Sequence, residues 1–349
     1  MTVDIGAPLF AQIQQLTLPE EILQLTFQGL ALGAIYALIA LGFVIVYKAT
    51  EVINFAHGAL MLLGTYIVFS LVSGVIPEGA STAANQAGSN FPSWLGWWVD
   101  LPIGWRFGLA ILMAAGVVGL VGIGVERTIL RRMVGQPVFA IVLITLGLEL
   151  AISTSVQVIW NPQQKVMPSP FPPASTLRIG NIGMQWANIW AITVMIVVVL
   201  AFFAFFKYSR FGLAIRATAL DQEAALAMGI KASTVFAIAW AIGGALAAIA
   251  GALFVPARLA GFITLTPVRF SAINAFPAAI LGGLDSPGGA VTGGLIIGVT
   301  QVLSSRWLNP IFLDLNFPNF HQVFPYLLMV GILLFRPYGL FGTVEVRRV

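Results

Sequence analysis

The feature that most limits how this chain can fold is a series of apolar runs with almost no charge, each about as long as a bilayer is thick. The clearest runs are Phe27–Tyr47, Phe107–Val125, Val138–Trp160, Trp186–Phe206 and Ser233–Val255. About 20 helical residues cross the hydrocarbon layer, whereas strands of a membrane barrel would be about half as long and would alternate polar with apolar residues. Because a helix satisfies its own backbone groups in lipid, the runs predict transmembrane helices.

Composition supports the same conclusion. Only 9% of the 349 residues are charged, whereas an average soluble domain is about 25% charged. The chain has no cysteine, which excludes disulfides and thiolate sites, and no run of Lys or Arg is typical of a nucleic-acid-binding surface. Residues 1–24 contain no Lys or Arg and therefore lack the basic start of a cleavable signal peptide.

Other apolar segments are less regular. Val52–Val75 is long enough to span, and a last segment runs from Asn319 to Phe335. Phe270–Gly283 and Ala290–Ser304 are each too short to span comfortably, so they form either two short tilted helices or one re-entrant hairpin around a turn-rich break. The prediction is an all-α polytopic bundle with seven full spans plus the 270–305 pair, or nine spans if both halves of that pair cross. Its short or discontinuous segments lie at 52–58 and 270–305.

The basic residues predict the orientation, because cytoplasmic loops carry an excess of Lys and Arg. With the N-terminus outside, eleven basic residues fall on the cytoplasmic side and six on the external side. Residues 1–24 then form a polar external extension, residues 25–342 the transmembrane domain, and residues 343–349 a cytoplasmic tail. The count is the same for either interpretation of 270–305.

Small residues recur at four-residue spacing, as in Gly29 with Gly33 and Gly294 with Gly298. This spacing lets helices approach closely in lipid. It predicts a dense bundle rather than a wide pore.

Few residues are suited to chemistry within this apolar chain. Two histidines, His57 and His321, are too few for a metal site or a catalytic triad. Glu149 lies in the middle of a span, where a charge must face the bundle interior or be protonated. It either pairs with another helix or contributes to a substrate path.

Two helix interruptions are candidates for that path, because broken helices expose backbone groups near the midplane of transporters. The first runs from Asn54 to Gly58 and the second from Gly282 to Gly289. The alternative is that both are tight turns at the membrane surface, with glycines needed only for backbone geometry. The tentative path residues are Asn54, His57, Gly58, Glu149, Gly282, Gly283 and Asp285.

The stretch 209–232 is the longest predicted cytoplasmic loop and is rich in helix-forming residues. Its core is Glu223, Ala224 and Ala225, followed by Gly229. A short helix of small residues that ends at glycine makes a compact projection, which can sit in a cleft on a partner. An ordinary interfacial helix is the alternative interpretation.

Four ordered blocks carry a family resemblance. They read GLALGAIYALIALGFVIVYKATEVINFAHGALMLLGTY, RATALDQEAALAMGIKASTVFAIAWAIGGALAAIAGAL, AAILGGLDSPGGAVTGGLIIG and LLFRPYGLFG. From about Leu25 to Gly342 the chain resembles the branched-chain amino acid permease family of bacterial ABC importers, in which the Glu-Ala-Ala then Gly pattern docks on the ATPase. The N-terminal extension and the long loop after residue 75 depart from the family.

The resemblance implies a transport subunit in the bacterial inner membrane that carries branched-chain or other neutral amino acids. It implies a second, homologous permease, two cytoplasmic ATPase subunits and an external substrate-binding protein as partners. The residues implied in ATPase coupling are Arg216, Glu223, Ala224, Ala225 and Gly229. The chain has no GxxxxGK[ST] phosphate loop, so it is not expected to hydrolyse ATP itself, and the energy must come from the partner ATPases. The expectation is a transport subunit that is not an enzyme and has no cofactor. A urea or amide importer and an ion-coupled secondary transporter are the alternatives.

Overall fold

The computed structural model of the chain describes residues 17–75, 96–133, 136–171, 175–220, 222–314, 317 and 319–342. Most of the predicted N-terminal extension, most of the loop after residue 75 and the tail 343–349 lie outside the described residues. The first helix begins at Leu18, so the last residues of the predicted extension are helical.

The described residues form an all-helical bundle with two small antiparallel sheets. The sheets pair β1 (Lys165–Val166) with β4 (Phe262–Ile263), and β2 (Thr176–Ile179) with β3 (Ile182–Gln185). A short 3-10 turn covers Leu130–Met133. The α-helices are α1 (Leu18–Thr50), α2 (His57–Ser73), α3 (Gly96–Val99), α4 (Ile103–Thr128), α5 (Val138–Trp160), α6 (Trp186–Tyr208), α7 (Arg210–Leu220), α8 (Gln222–Ala227), α9 (Ala232–Arg258), α10 (Leu265–Gly282), α11 (Pro287–Asp314) and α12 (Phe320–Phe335).

Six helices among the described residues are long and apolar enough to cross a membrane: α1, α4, α5, α6, α9 and α11. Five of them contain the five apolar runs of the sequence. The other two predicted spans are the shorter apolar helices α2 and α12. The all-α polytopic bundle predicted from the sequence is therefore confirmed.

The helix that contains Ala290–Ser304 is longer than this apolar run indicated. It is the 28-residue helix α11. The apolar run ends at Ser304, just before the charged Arg306, so hydropathy alone does not indicate that the helix continues. In the structure Arg306 is paired with Glu21 of α1, so the helix continues past it.

Contacts at the two tips of α1 define two ends of the bundle. The Glu21–Arg306 ion pair marks the Glu21 end. At the other end, the Lys48 end, Lys48 Nζ donates a hydrogen bond to the carbonyl oxygen of Asp285, 2.7 Å away. Since α11 starts just after Asp285 and reaches Arg306, it runs antiparallel along most of α1. Helix α10 packs antiparallel on α11, with Gly282 against Gly289 and Ala278 against Gly293.

Helix α1 is the centre of the bundle, and its apolar part is 94% buried. The predicted close packing of small residues is confirmed here: a Cβ on Gly29 would lie 2.6 Å from Val299 Cα, and one on Gly298 would lie 2.2 Å from Gly33 N. Helices α5 and α6 are mostly exposed. Their outer apolar faces suit lipid.

Candidate functional site

The stretch 209–232 folds into the two short helices α7 and α8 between α6 and α9. Phe203, near the end of α6, lies next to Gly288 at the start of α11, so this stretch leaves the bundle at the Lys48 end. The structure therefore places the predicted coupling residues on one end surface, apart from the middle of the bundle.

Gly229 terminates α8 in the way the sequence predicted. Its φ is +86°, in the left-handed region that favours glycine. The Gly229 N–H donates to the Leu226 carbonyl at 2.9 Å, and the Ile230 N–H donates to the Ala225 carbonyl at 3.0 Å. This pair of bonds is a Schellman cap. Ala225 is buried beneath the turn, and the side chain of Glu223 lies outside the described residues.

Arg216 holds α7 against the end of α6. Its guanidinium donates a hydrogen bond to the Phe206 carbonyl and lies over the Phe206 ring, 5.2 Å from the ring centroid. Gly212 packs on the same carbonyl, with no room for a Cβ. The observed contacts of Arg216 position the helix within this chain.

The first helix interruption lies beside α1, about two turns inside its Lys48 end. The Asn54 side-chain oxygen accepts a hydrogen bond from the Ala56 N–H at 3.0 Å, and the His57 N–H donates to the Asn54 carbonyl at 3.2 Å. The His57 ring packs on Gly42 and lies 4.6 Å from the Phe43 ring, centroid to centroid. Because Gly42 lies two turns before the end of α1, helix α2 begins inside the bundle.

The side chains at this interruption are buried and not fully hydrogen-bonded. Asn54 is 1% exposed and His57 is 0% exposed. Among the described residues, Asn54 Nδ2 and both ring nitrogens of His57 have no hydrogen-bond partner. Buried polar groups without hydrogen-bond partners cost free energy. Binding of water or a polar solute beside Asn54 and His57 would therefore be favourable.

The second interruption is a crossing of three backbones at the Lys48 end. A Cβ on Gly282 would lie 2.1 Å from the Gly289 oxygen, and one on Gly283, whose φ is +105°, would lie 2.6 Å from Gly342 N. The Leu340 N–H also donates to the Leu281 carbonyl at 2.8 Å. Both glycines are thus required for close packing here, and the Asp285 carbonyl is held by Lys48.

Arg269 of α10 joins two of the predicted path residues. Its Nε lies 3.1 Å from Glu149 Oε1. Its carbonyl packs on Gly58, where an added Cβ would lie 2.5 Å from the oxygen. Gly58 and Glu149 therefore both contact Arg269. Asp285 instead contacts Lys48 at the end of the bundle.

A further polar group, formed by Tyr36, Arg258, Gln301, His321 and Tyr326, did not emerge from the sequence. Four helices contribute to it: α1, α9, α11 and α12. Tyr36 and Gln301 are polar residues within long helices, which is the signal that could have found them. Across the described ranges, no group of three His, Cys, Asp or Glu side chains is placed to hold a metal ion.

Comparison with known proteins defines the class of this bundle. The model of the family described as "Branched-chain amino acid transport system / permease component" matches residues 25–333. The chain belongs to this family of transport permeases.

Named relatives extend over nearly the whole chain. It is 31% identical over 338 residues to the high-affinity branched-chain amino acid transport system permease protein LivH of Salmonella typhimurium and of Escherichia coli. The alignments cover 94% of this chain and 97% of each relative. BraD of Pseudomonas aeruginosa, which has the same description, is 28% identical over 330 residues, covering 94% of this chain and 98% of BraD. No solved structure matches the chain.

Proposed function

We propose that this chain is the membrane-spanning subunit of an ATP-driven importer and forms half of the translocation pathway for branched-chain or other neutral amino acids. The observation that carries the proposal is similarity over almost the full length of both chains to permeases named for branched-chain amino acid transport. The low charge of the bundle agrees with passage of a zwitterionic solute.

The proposed partners are a second, homologous permease, two ATPase subunits and an external substrate-binding protein. The short helices α7 and α8, called the α7–α8 projection, support a docking role, because they lie at one end of the bundle and end in a glycine cap flanked by the exposed side chains of Leu226 and Met228. The ATPases would supply the energy, so this subunit itself catalyses no reaction.

The proposed orientation places the N-terminus outside and the C-terminus in the cytoplasm of a bacterial inner membrane. The excess of basic residues in the segments that meet at the Lys48 end supports it. The helices α7 and α8 then face the cytoplasm, where the ATPases are.

The proposed path passes the interruption at Asn54, His57 and Gly58. The support is the unpartnered polar atoms of Asn54 and His57 inside an apolar bundle. Glu149 borders this region through Arg269. Gly282, Gly283 and Asp285 would act at the cytoplasmic end, where their tight packing suits a hinge or gate more than a binding site.

Transport by the assembled complex tests the proposal. The chain is co-expressed with its proposed permease, ATPase and binding-protein partners, purified and reconstituted in liposomes. We expect ATP-dependent uptake of labelled leucine, isoleucine or valine that requires the binding protein and persists when ion gradients are collapsed. Uptake of urea without uptake of amino acids would overturn the proposed amino-acid substrate. Uptake driven by an ion gradient without ATP would overturn the assignment to ATP-driven importers.

A further inference from the structure

Polar side chains from four helices meet towards the Glu21 end of the bundle. Gly33 of α1 packs against Gly298 of α11, one turn before Gln301. Tyr36 of α1 is close enough to interact electrostatically with Arg258 of α9 and Tyr326 of α12, and it neighbours the Gln301 side chain. Arg258 also interacts electrostatically with His321 of α12. These five residues are called the Arg258 cluster.

The cluster combines an available cation with an unsatisfied acceptor. Arg258 is exposed, and within the described part of the chain it forms no ion pair and no hydrogen bond. Three other arginines, Arg131, Arg269 and Arg306, are each paired with a glutamate. Gln301 is only 7% exposed, and its Oε1 has no partner among the described residues.

The cluster joins the protein interior, on the Tyr36 side, to a more exposed surface, on the Tyr326 side. Tyr36 is 3% exposed on the central helix α1. The Tyr326 hydroxyl donates to the Ile273 carbonyl of α10 at 3.0 Å, and His321 Nδ1 lies 3.4 Å from Asn309 Oδ1 of α11. An arginine that only contacted lipid headgroups would not need this surround of polar side chains.

The cluster also lies far from the α7–α8 projection. Helix α9 starts directly after that projection and ends at Arg258, 27 residues later. At 1.5 Å per residue this is roughly 40 Å. If the projection docks on an ATPase, the cluster faces the opposite side of the membrane, where substrate arrives.

We propose that the Arg258 cluster receives the head group of an α-amino acid as it enters the permease, with Arg258 binding the carboxylate and Gln301 Oε1 accepting a hydrogen bond from the ammonium group. This inference rests on the proposed function. A guanidinium matches the planar carboxylate with two parallel hydrogen bonds. A buried carbonyl without a donor is satisfied when an ammonium group arrives. Tyr36, which neighbours both Arg258 and Gln301, positions these two groups.

The matched variants are Arg258→Gln, which removes the charge, and Arg258→Lys, which keeps it without the planar fork. Arg178→Gln is the control, because Arg178 is an exposed arginine on β2, in the hairpin whose Asn181 bonds Glu20. With saturating loaded binding protein, we expect Arg258→Gln to lower leucine uptake about 10-fold or more. We expect Arg258→Lys to be intermediate and Arg178→Gln to resemble wild type. Complex assembly, measured by size-exclusion chromatography, should be intact in all three.

A second measurement detects the head group directly. Because the chain has no cysteine, an Asn309→Cys variant, beside His321 of the cluster, can be modified by a maleimide in the purified complex while Arg258 and Gln301 are both kept. We expect leucine to slow the modification and leucinamide, which lacks the carboxylate, to leave the rate unchanged. Arg258→Gln added to this variant should abolish the protection.

The outcomes separate this inference from the proposed function. Wild-type complex that fails to import any amino acid overturns the proposed function, whatever Arg258 does. Wild-type complex that imports leucine, with full uptake by Arg258→Gln or an equal loss in Arg178→Gln, overturns the Arg258 site alone. Equal protection by leucine and leucinamide overturns the carboxylate assignment.

Discussion

Glu149 of α5 and Arg269 of α10 form an ion pair within the helix bundle, with Arg269 Nε 3.1 Å from Glu149 Oε1. The Ser153 hydroxyl also donates to Glu149 Oε1 at 3.2 Å. Both charged side chains keep only partial solvent exposure, 21% for Glu149 and 31% for Arg269. An unpaired charge inside a membrane bundle is unfavourable. The pairing thus explains how an apolar span can contain Glu149.

Replacing one partner of this pair should destabilise the protein more than replacing both. Glu149→Gln leaves Arg269 without its carboxylate, and we expect a loss of about 1–3 kcal/mol, below the range for a fully buried pair because both side chains are partly exposed. The double variant Glu149→Gln with Arg269→Gln should recover part of it. Unfolding of the purified permease in detergent measures all three. Strictly additive losses would show that the two charges are not coupled.

Close packing of α1 on α11 should make Gly298 intolerant of a methyl group. A Cβ there would lie 2.2 Å from Gly33 N, so Gly298→Ala must separate the two helices. We expect a loss of about 1–3 kcal/mol. Gly331→Ala is the matched control, since no other described part of the structure lies within 4 Å of the position its Cβ would occupy. Similar stability of both variants, measured by thermal unfolding, would contradict the contact.

Substitutions at Gly229 should show whether this position requires glycine because of its backbone conformation or because of limited space. Among the described residues, none beyond its chain neighbours places an atom within 4 Å of a Cβ on Gly229, but its φ of +86° disfavours side chains. Asparagine tolerates this region better than β-branched residues. We therefore expect Gly229→Asn to retain most transport and ATPase stimulation and Gly229→Val to lose both while still inserting. Gly229→Trp should fail as well, because it adds bulk at the proposed ATPase contact. Normal transport by the Trp variant would remove the coupling role.

The sequence predicted the helices well and the polar contacts poorly, for a physical reason. Apolar runs are local, so Val138–Trp160 was found at its observed limits. Contacts such as Glu149 with Arg269 join residues 120 positions apart, and neither periodicity nor spacing indicates them. Arg258 was counted only as a basic residue of the external side, because its neighbours come from three other helices.

The glycines illustrate the same limit. Their four-residue spacing predicted close helix packing, and the structure shows which helices meet at Gly33 and Gly298. A glycine-rich turn, however, predicts an interruption without its depth. Gly282 and Gly283 lie at the Lys48 end, whereas His57 lies beside Gly42, well within α1.

The orientation predicts the accessibility of single cysteines. The chain has no cysteine of its own, so each introduced thiol is the only one. In intact cells we expect a membrane-impermeant maleimide to label Ser169→Cys and to leave Ser209→Cys unlabelled until the membrane is permeabilised. Ser81 and Val349, which lie outside the described residues, are predicted external and cytoplasmic sites for the same assay. Labelling of Ser209→Cys in intact cells would reverse the orientation.

The last prediction asks whether His57 acts through its nitrogens or only through its ring. The ring packs on Phe43 and Gly42, and neither nitrogen has a hydrogen-bond partner among the described residues. His57→Phe keeps an aromatic ring in this position and removes both nitrogens. If His57 contacts the solute, uptake should fall about 10-fold while stability is unchanged or improved, because an unsatisfied buried group has been removed. Asn54→Ala should act in the same direction, with some loss of stability from its turn.

Tyr66→Phe is the matched control for this experiment. Tyr66 lies on the same helix, is 0% exposed, and its hydroxyl also lacks a partner among the described residues, but it lies more than two turns beyond the interruption. We expect wild-type uptake from Tyr66→Phe and from Asp285→Ala if that residue only completes the turn held by Lys48. The measurements are binding-protein-dependent uptake and ATPase activity in liposomes, with thermal unfolding to follow stability. Wild-type uptake by both His57→Phe and Asn54→Ala would place the path elsewhere, since the only atoms removed are those able to hydrogen-bond a passing solute and those that shape the turn.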